Sequence, residues 1–192
     1  MSFHKNIFVI DIETTGPDLF EHDVLSIYIS PLFGDNPSLE LLIDYGNKEL
    51  NWGNVASRYF KSYKSKWEKQ SLPSHECWNT FKKFIDKDIN VDEITFAGHN
   101  VGFDYSFLKK FAKQNKDTLP KKISHRLFDV HSVLYFYFMK GLIPKSALTS
   151  RGSLEYFEII ASSSERHDAK KDVEDIKKVI NKLLEFQGLN TF

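Results

Sequence analysis

The sequence FVIDIETTG, at residues 8–16, combines an apolar run with two acidic residues. The run predicts a buried strand, and residues two apart in a strand project to the same face, about 7 Å apart at their Cα atoms. Asp11 and Glu13 therefore point in the same direction. Two such carboxylates repel each other and lose hydration, and a divalent cation bound by their oxygens is the simplest compensation. A strand end with its acids in solvent is the alternative.

The composition indicates a globular protein whose charges are balanced. Of its 192 residues, 41% are hydrophobic and 27% are charged, and the 26 basic and 26 acidic side chains give a formal net charge of zero. A polyanion would therefore need a metal ion or a small basic patch in order to bind. Cys77 is the single cysteine, which rules out an intrachain disulfide and a zinc-finger spacing.

The hydropathy pattern predicts no membrane segment. No run approaches the roughly 18 apolar residues that a spanning helix requires. The first residues do not follow the pattern of a signal peptide, because Asp11 and Glu13 interrupt the first apolar run. We therefore expect a cytoplasmic protein.

Apolar and alternating runs predict five strands. The first three are joined by short turns, and consecutive strands of this kind form an antiparallel meander. The fourth strand ends at Gly98, and the fifth is short. The predicted strands cover residues 6–13, 24–29, 39–45, 94–98 and 126–128.

Two predicted helices carry an acidic residue on or beside their apolar face. In the helix at 102–111, Asp104 falls on the stripe formed by the apolar residues that follow it. In the last helix, Asp172 lies in the first turn, where the helix dipole favours a carboxylate. The apolar stripe of that last helix consists of Val173, Ile176, Val179, Ile180, Leu183 and Leu184.

Other predicted helices have less bearing on chemistry. One begins near Ser74, a candidate N-cap, and a short one covers residues 154–161. Asp129 is placed to cap a helix at 130–139, which favours structural over catalytic roles for Asp129 and His131.

The segment RYFKSYKSKW, at residues 58–67, interleaves basic and aromatic residues. Cations for phosphates and ring faces for bases are what a single-strand binding platform uses. A solvated helix whose aromatic residues face the core gives the same pattern, and charge runs usually mark solvated faces. The second interpretation is favoured, and the first remains open.

Four acidic residues thus occupy positions that need a partner: Asp11, Glu13, Asp104 and Asp172. Together they could hold two divalent cations, Mg²⁺ or Mn²⁺, about 3.5–4 Å apart. Such a site clamps the attacking and leaving oxygens of an in-line phosphoryl displacement. Histidine titrates near neutral pH, so His167, five residues before the last acid, could activate a water molecule.

Three motifs resemble those of the DEDDh family of 3′→5′ exonucleases. DIETTG at 11–16 is similar to the first motif, GHNVGFD at 98–104 to the second, and HDAKKD at 167–172 to the third. The resemblance extends over residues 7–185. It implies a ribonuclease H-like α/β fold, in which a mixed five-stranded sheet of three antiparallel plus two parallel strands is flanked by helices. It also implies a single exonuclease domain over residues 1–192.

The resemblance assigns an activity and a role to each motif residue. It implies metal-dependent hydrolysis of single-stranded nucleic acid from the 3′ end to nucleoside 5′-monophosphates, with two cations. His167 would be the general base, and the four acids would be the metal ligands. The residues expected to hold the terminal nucleotide are Ile12, Thr14, Thr15, Gly16, Asn100 and Phe103.

One departure from the family pattern leaves substrate choice open. Pro17 stands where the family often has Leu or Met against the terminal base, so we expect Leu19 or Phe20 to supply that contact. Single-stranded DNA is slightly favoured as substrate. The alternatives are an exoribonuclease that trims RNA 3′ ends and a non-catalytic module that binds nucleic acid or a polymerase. A DNA polymerase and a second copy of the chain are the candidate partners.

Overall fold

The computed structural model describes residues 6–160 and 168–185. Within these residues the chain forms an α/β structure with one mixed sheet. The strands are β1 (Ile7–Thr14), β2 (Val24–Pro31), β3 (Leu39–Asp44), β4 (Leu72–Pro73), β5 (Thr95–Gly98) and β6 (Phe128–Asp129).

The order of the strands places β1 in the interior of the sheet. In the part of the chain that is described, the sheet has six strands in the order β4–β3–β2–β1–β5–β6. The pairs β1–β2 and β2–β3 are antiparallel, as the predicted meander requires. The pairs β1–β5 and β5–β6 are parallel. These directions confirm the ribonuclease H-like arrangement.

The predicted count of five strands is wrong by one. Leu72 and Pro73 form the additional strand β4, which pairs in parallel with Ile43 and Asp44 of β3. Two residues, one of them a proline, are too short for any alternating pattern, which explains why the sequence does not predict this strand. The strand predicted at 126–128 begins later, at Phe128.

Helices cover both faces of the sheet. They are α1 (Asn54–Gln70), α2 (Ser74–Lys83), α3 (Gly102–Gln114), α4 (Val130–Met139), α5 (Ser150–Tyr156) and α6 (Ala169–Glu185). A short π-helical turn follows α2 at Phe84–Asp88, and a 3₁₀ turn precedes α5 at Lys145–Leu148. Over the described ranges, none of these helices has the length and apolar character needed to cross a bilayer.

The helix predicted at 154–161 is misplaced. Helix α5 begins four residues earlier, because the side chain of Thr149 accepts a hydrogen bond of 2.9 Å from the amide of Gly152 and caps the first turn. The helix ends at Tyr156, and Glu158 adopts a positive φ of 54°, which is incompatible with its continuation. The prediction at Ala161 lies outside the described residues.

The alternation of β1 divides the core into two layers. Phe8, Ile10 and Ile12 pack on one face with residues of α2 and α3. Val9 packs on the opposite face with residues of α4 and α6. Because strand residues alternate between faces, Asp11 and Glu13 share the face of Val9, which is the face that α6 covers.

Helix α6 confirms its predicted apolar stripe with one exception. Val173, Ile176, Val179, Ile180 and Leu183 are buried. Leu184 is 62% exposed, so the prediction that it belongs to the stripe is wrong. The packed stripe brings the first turn of α6, with Asp172, against the end of β1 that carries the two acids.

Candidate active site

Three carboxylates from two elements meet above the sheet. Asp11 and Glu13 extend from β1, and Asp172 extends from the first turn of α6. One ligand oxygen from each of these residues lies within 4.8 Å of the other two. All three side chains are partly buried. The sequence prediction that these acids share a site therefore agrees with their positions.

Asp104 joins this group through the backbone of β1. It lies in the first turn of α3 and is 5% exposed. Its Oδ1 accepts a hydrogen bond of 3.0 Å from the amide of Ile12, the residue between the two acids of β1. The buried stripe position predicted for Asp104 is confirmed, and the bond to Ile12 explains how that carboxylate is held.

The approach of α3 to β1 depends on a close contact at Gly98. A Cβ atom at this position would lie 3.0 Å from the carbonyl oxygen of Ile10 and 3.1 Å from Cβ of Val101. After Gly98 the chain turns sharply, with Asn100 at a φ of 63°. The amide of Asn100 donates a 2.8 Å hydrogen bond to Oδ1 of Asp129. This turn places the start of α3, and hence Asp104, beside β1.

The electrostatics of the group disfavour four negative charges. Burial raises the pKa of Asp11 well above its usual value, and the charges of Asp104, Glu13 and Asp172 raise it further. Burial, followed by the charges of Asp172, Asp168 and Asp104, raises the pKa of Glu13 to about 8. Burial raises the pKa of Asp104 to about 8, although the amide of Ile12 opposes the change. The repulsion is what a bound cation would relieve.

The donor set suits a hard divalent cation. Every candidate ligand atom is a carboxylate oxygen, and Mg²⁺ and Mn²⁺ prefer such ligands over nitrogen or sulfur. The clustered charge, which raises the pKa of Asp11 and Glu13, gives a cation a favourable site. The residues present therefore fit the metal requirement that the family resemblance implies.

The strip Thr14–Gly16, which follows the acids, is held by hydrogen bonds to two other segments. The amide of Thr15 donates to the carbonyl of Asp23 at 2.8 Å, and the amide of Asp23 donates to Oγ1 of Thr15 at 3.0 Å. The amide of Gly53 donates to the carbonyl of Thr15 at 2.8 Å. Sequence reasoning missed Asp23 and Gly53, because backbone hydrogen bonds between distant segments leave no local sequence signal.

Gly16 is required by its neighbour His22. A Cβ atom at Gly16 would lie 2.4 Å from two atoms of the His22 imidazole, which is buried. The imidazole cannot simply turn away, because its Nδ1 accepts a hydrogen bond of 3.0 Å from the amide of Asp18. The Gly in the first motif thus allows the loop after β1 to fold back onto the strip.

The two residues predicted at the start of α3 differ in their surroundings. Asn100 is at the exposed end of the turn. Phe103 is half-buried, and its ring centroid lies 4.7 Å from that of Phe107. Asp129 holds the turn and also caps α4, since its Oδ1 accepts from the amide of His131 at 3.2 Å. The predicted capping role of Asp129 is confirmed, and its bond to Asn100 is a second structural role that the sequence did not reveal.

The third motif is described only in part. His167 lies outside the described residues, so its role stays a prediction. Asp168 caps α6, because its Oδ1 accepts from the amide of Lys170 at 3.0 Å and from that of Lys171 at 3.3 Å. This cap positions the first turn of α6, which carries Asp172.

The basic and aromatic segment at 58–67 lies in α1. Phe60 is half-buried, and its ring lies 4.8 Å from that of Trp52 and 5.5 Å from that of Trp67, centroid to centroid. Lys66 forms an ion pair with Glu40, and Lys64 forms one with Glu68. These contacts favour the packing interpretation of the segment over the platform interpretation.

No model of a known protein family and no curated protein matches this chain in sequence. Solved structures do match its fold. The zinc-bound complex of E. coli exonuclease I with single-stranded DNA superposes with a TM-score of 0.74 at 14% identity, over 96% of this chain and 41% of that one. This chain therefore spans about two fifths of exonuclease I.

This chain matches a larger share of two further solved structures. The nuclease domain of 3′hExo, a DEDDh family member bound to rAMP, has a TM-score of 0.70 at 13% identity, over 96% of this chain and 94% of that one. The cell-death related nuclease CRN-4 has a TM-score of 0.72 at 12% identity, over 93% of this chain and 63% of that one. The ribonuclease H-like fold of such exonucleases is thus shared by this chain.

Proposed function

We propose that this chain is a metal-dependent 3′→5′ exonuclease of the DEDDh type that releases nucleoside 5′-monophosphates. One observation carries the proposal: the carboxylates of Asp11, Glu13 and Asp172 converge within 4.8 Å, although α6 and β1 are far apart in sequence. The resemblance of the three motifs and the shared exonuclease fold support it. The proposal treats residues 1–192 as a single exonuclease domain.

The four acids have a common role in this proposal. Asp11, Glu13, Asp104 and Asp172 would hold two divalent cations, Mg²⁺ or Mn²⁺. When bound, such cations neutralise charge on the phosphodiester and make an attacking water more acidic. Asp104 also fixes the position of β1 through the amide of Ile12, so that the ligands from the strand and from α3 keep one geometry.

The remaining motif residues bind substrate and move a proton. Thr14, Thr15 and Gly16 form the strip against which the 3′-terminal nucleotide would lie, together with Asn100 and Phe103. The hydrogen bonds of Thr15 to Asp23 and Gly53 hold that strip in place before substrate arrives. His167 would accept the proton of the attacking water, because a neutral imidazole is a base at physiological pH.

We infer that single-stranded DNA is the preferred substrate and that RNA is the alternative. Exonuclease I, whose complex with single-stranded DNA shares this fold, supports the first. The 3′hExo nuclease domain bound to rAMP supports the second. The two polymers differ by the 2′-hydroxyl group, which only RNA would bring to the Thr14–Gly16 strip.

A time course on two 5′-labelled oligonucleotides of matched sequence, one DNA and one RNA, tests the proposal. Each is incubated with Mg²⁺, with Mn²⁺ and with a chelator. We expect a ladder that shortens from the 3′ end only when metal is present, with the DNA strand shortened faster. An intact 5′-labelled strand under all conditions would refute the exonuclease, and faster shortening of RNA would reverse the order of substrates.

A further inference from the structure

A groove of about 580 Å³ lies between α3 and the loop after β1. One wall is the outer face of α3, which contributes Tyr105, Lys109 and Lys113. The opposite wall is the loop after the Thr14–Gly16 strip, which contributes Leu19 and Phe20. Leu19 and Phe20 are the residues expected from the sequence to contact a base, and the three residues of α3 have no role in the proposed chemistry.

Both sides of the groove are formed by segments that directly follow residues of the candidate site in the chain. Tyr105 follows Asp104 in the chain, and the positions of Lys109 and Lys113 lead away from it along the helix. Leu19 lies three residues after Gly16, at the end of the first motif. Each wall of the groove therefore begins one to three residues after a residue of the candidate site. A strand whose 3′ end occupied that site could continue into the groove.

The loop wall is held rigidly to α3. The side chain of Asp18 accepts a 2.8 Å hydrogen bond from the amide of Phe20, and the carbonyl of Asp18 accepts one of 2.9 Å from the amide of His22. Lys110 of α3 donates to the carbonyl of His22. Gln114 donates to Asp23 at 2.6 Å. These bonds give the groove a fixed width.

The most exposed large hydrophobic side chain in the loop belongs to Phe20. It is 91% exposed, although the backbone that carries it is fixed by the turn at Asp18. A fully exposed phenyl ring contributes nothing to the core. A ring exposed to solvent on a hydrogen-bonded backbone is, however, available to stack with a nucleobase.

The free charges of the groove are positive. Among the described residues, Lys110 is paired with Asp23 at 3.7 Å, whereas Lys109 and Lys113 form no ion pair. Lys109 lies 5.7 Å from the ring centroid of Tyr105. The acid at the far end of the groove, Asp117, is already bound by Lys82 at 2.7 Å and by the indole of Trp78 at 3.0 Å. Lysines four apart on a helix are separated by about 6 Å along its axis. The groove is therefore complementary to an extended polyanion.

We propose that this groove binds the nucleotides on the 5′ side of the one being removed, with a base on Phe20 and phosphates at Lys109 and Lys113. The inference rests on the proposed exonuclease function for the identity of the occupant. The surface that would bind the single strand, called the track below, is thus formed by α3 and the loop after β1. Phe60 of α1, by contrast, is engaged in ring contacts with Trp52 and Trp67.

The inference is tested by measuring the binding of a labelled single-stranded DNA of about 12 nucleotides, a length within the range of single-strand site sizes. A chelator in the buffer prevents turnover during the measurement. The variant Lys109→Gln/Lys113→Gln removes the two cations. For single strands, log K falls with log salt by about 0.7 per phosphate contact. We therefore expect the salt slope of the double variant to be shallower than that of the wild type by about 1.4.

A matched control keeps the change in net charge constant. Lys83→Gln/Lys87→Gln removes two exposed lysines that are also four residues apart but lie outside the groove. The salt slope of this variant should equal that of the wild type. If both double variants changed the slope equally, the effect would be one of overall charge and the track would be refuted.

The variant Phe20→Ser separates stacking from charge. It should weaken binding by about fivefold or more, the lower end of what base stacking contributes, with no change in the salt slope. Because the side chain of Phe20 is exposed, the Phe20→Ser protein should have the same Tm as the wild type. Unchanged affinity in a folded Phe20→Ser protein would exclude the base contact.

Turnover distinguishes failure of this inference from failure of the exonuclease proposal. With Mg²⁺, the ratio of kcat/KM on the longer strand to that on a dinucleotide should fall in the groove variants and not in the Lys83/Lys87 control. Wild-type binding with no turnover would refute the exonuclease while leaving the track supported by its salt slopes. Turnover with an unchanged ratio and unchanged slopes would refute the track alone.

Discussion

The backbone amide of Ile12 donates a hydrogen bond of 3.0 Å to the carboxylate of Asp104, 92 residues later in the chain. The parallel pairing of β1 with β5 extends only to Val9, so the amide of Ile12 lies beyond it. Asp104 takes the place that a longer β5 would occupy. One bond therefore couples the start of α3 to the strand segment that carries Asp11 and Glu13.

The metal-free protein should lose stability as the pH rises. The folded-state pKa values of Glu13 and Asp104 are raised to about 8 from ordinary values near 4. The folded state therefore retains protons that the unfolded state releases, and the free energy of unfolding should fall from about pH 4 to pH 8. Urea unfolding in a chelator across this range measures the effect, and Mg²⁺ at pH 8 should reverse it.

Neutralising one of these acids should stabilise the metal-free protein. At pH 8 in a chelator, Glu13→Gln should raise the free energy of unfolding by about 1.4 kcal/mol or more, the equivalent of one pKa unit. For a chain of this length that is at least roughly 3–6 °C in Tm. The exposed Glu93 provides the control, and Glu93→Gln should have no such effect. A Glu13→Gln protein no more stable than this control would contradict the proposed repulsion.

Substitution of two motif glycines should have opposite effects on stability. Gly16→Ala brings a methyl group to within 2.4 Å of the His22 imidazole and should cost about 1–3 kcal/mol. Gly102→Ala meets no atom within 4 Å at the start of α3 and should be neutral or stabilising by up to about 1 kcal/mol. Thermal unfolding of the two variants measures the contrast, and equal Tm values would contradict the contact.

The cap of α6 can be tested separately from the charge of Asp168. Asp168→Ala removes the acceptor for the amides of Lys170 and Lys171 and should cost about 1 kcal/mol. Asp168→Asn keeps an acceptor oxygen and removes a charge that raises the pKa of both Asp11 and Glu13. It should therefore be at least as stable as the wild type in denaturant titrations. A larger loss of stability in Asp168→Asn than in Asp168→Ala would exclude a capping role.

His167 should determine the acid limb of the pH–rate profile. The variant His167→Ala should have a kcat that is about 10²- to 10⁴-fold lower. Its rate should no longer decline below about pH 6.5. Mg²⁺ should still stabilise the variant against unfolding. The exposed His75 is the control, and His75→Ala should change neither rate nor profile. An acid limb that survives in His167→Ala would assign the base to another group.

Local patterns were sufficient to predict much of this molecule. The two-residue period of β1 placed Asp11 and Glu13 on one face, and the helical spacing of α3 placed Asp104 on its buried stripe. Strand β4 was not predicted, because two residues cannot show a period. The start of α5 at Ser150 was not predicted, because it depends on the cap that Thr149 provides.

The supporting contacts of the site could not be predicted in the same way. His22 fits against Gly16 only because the loop folds back, and Gly53 reaches Thr15 only after three strands have paired. Each contact joins segments through backbone atoms or shape, which residue types do not encode locally. The acids could be found from the sequence because unpaired buried charge is anomalous anywhere in a chain.

The central claim is that the converging carboxylates perform phosphodiester hydrolysis. Asp172 in the first turn of α6 and Asp168, which caps that helix, test it most directly. Release of nucleoside 5′-monophosphates from single-stranded DNA in Mg²⁺ is compared for Asp172→Asn and Asp168→Asn. We predict that Asp172→Asn reduces release to the background level while the protein remains folded, and that Asp168→Asn retains a rate within a few-fold of the wild type. Release at the wild-type rate by Asp172→Asn, or none by the wild type, would contradict the claim.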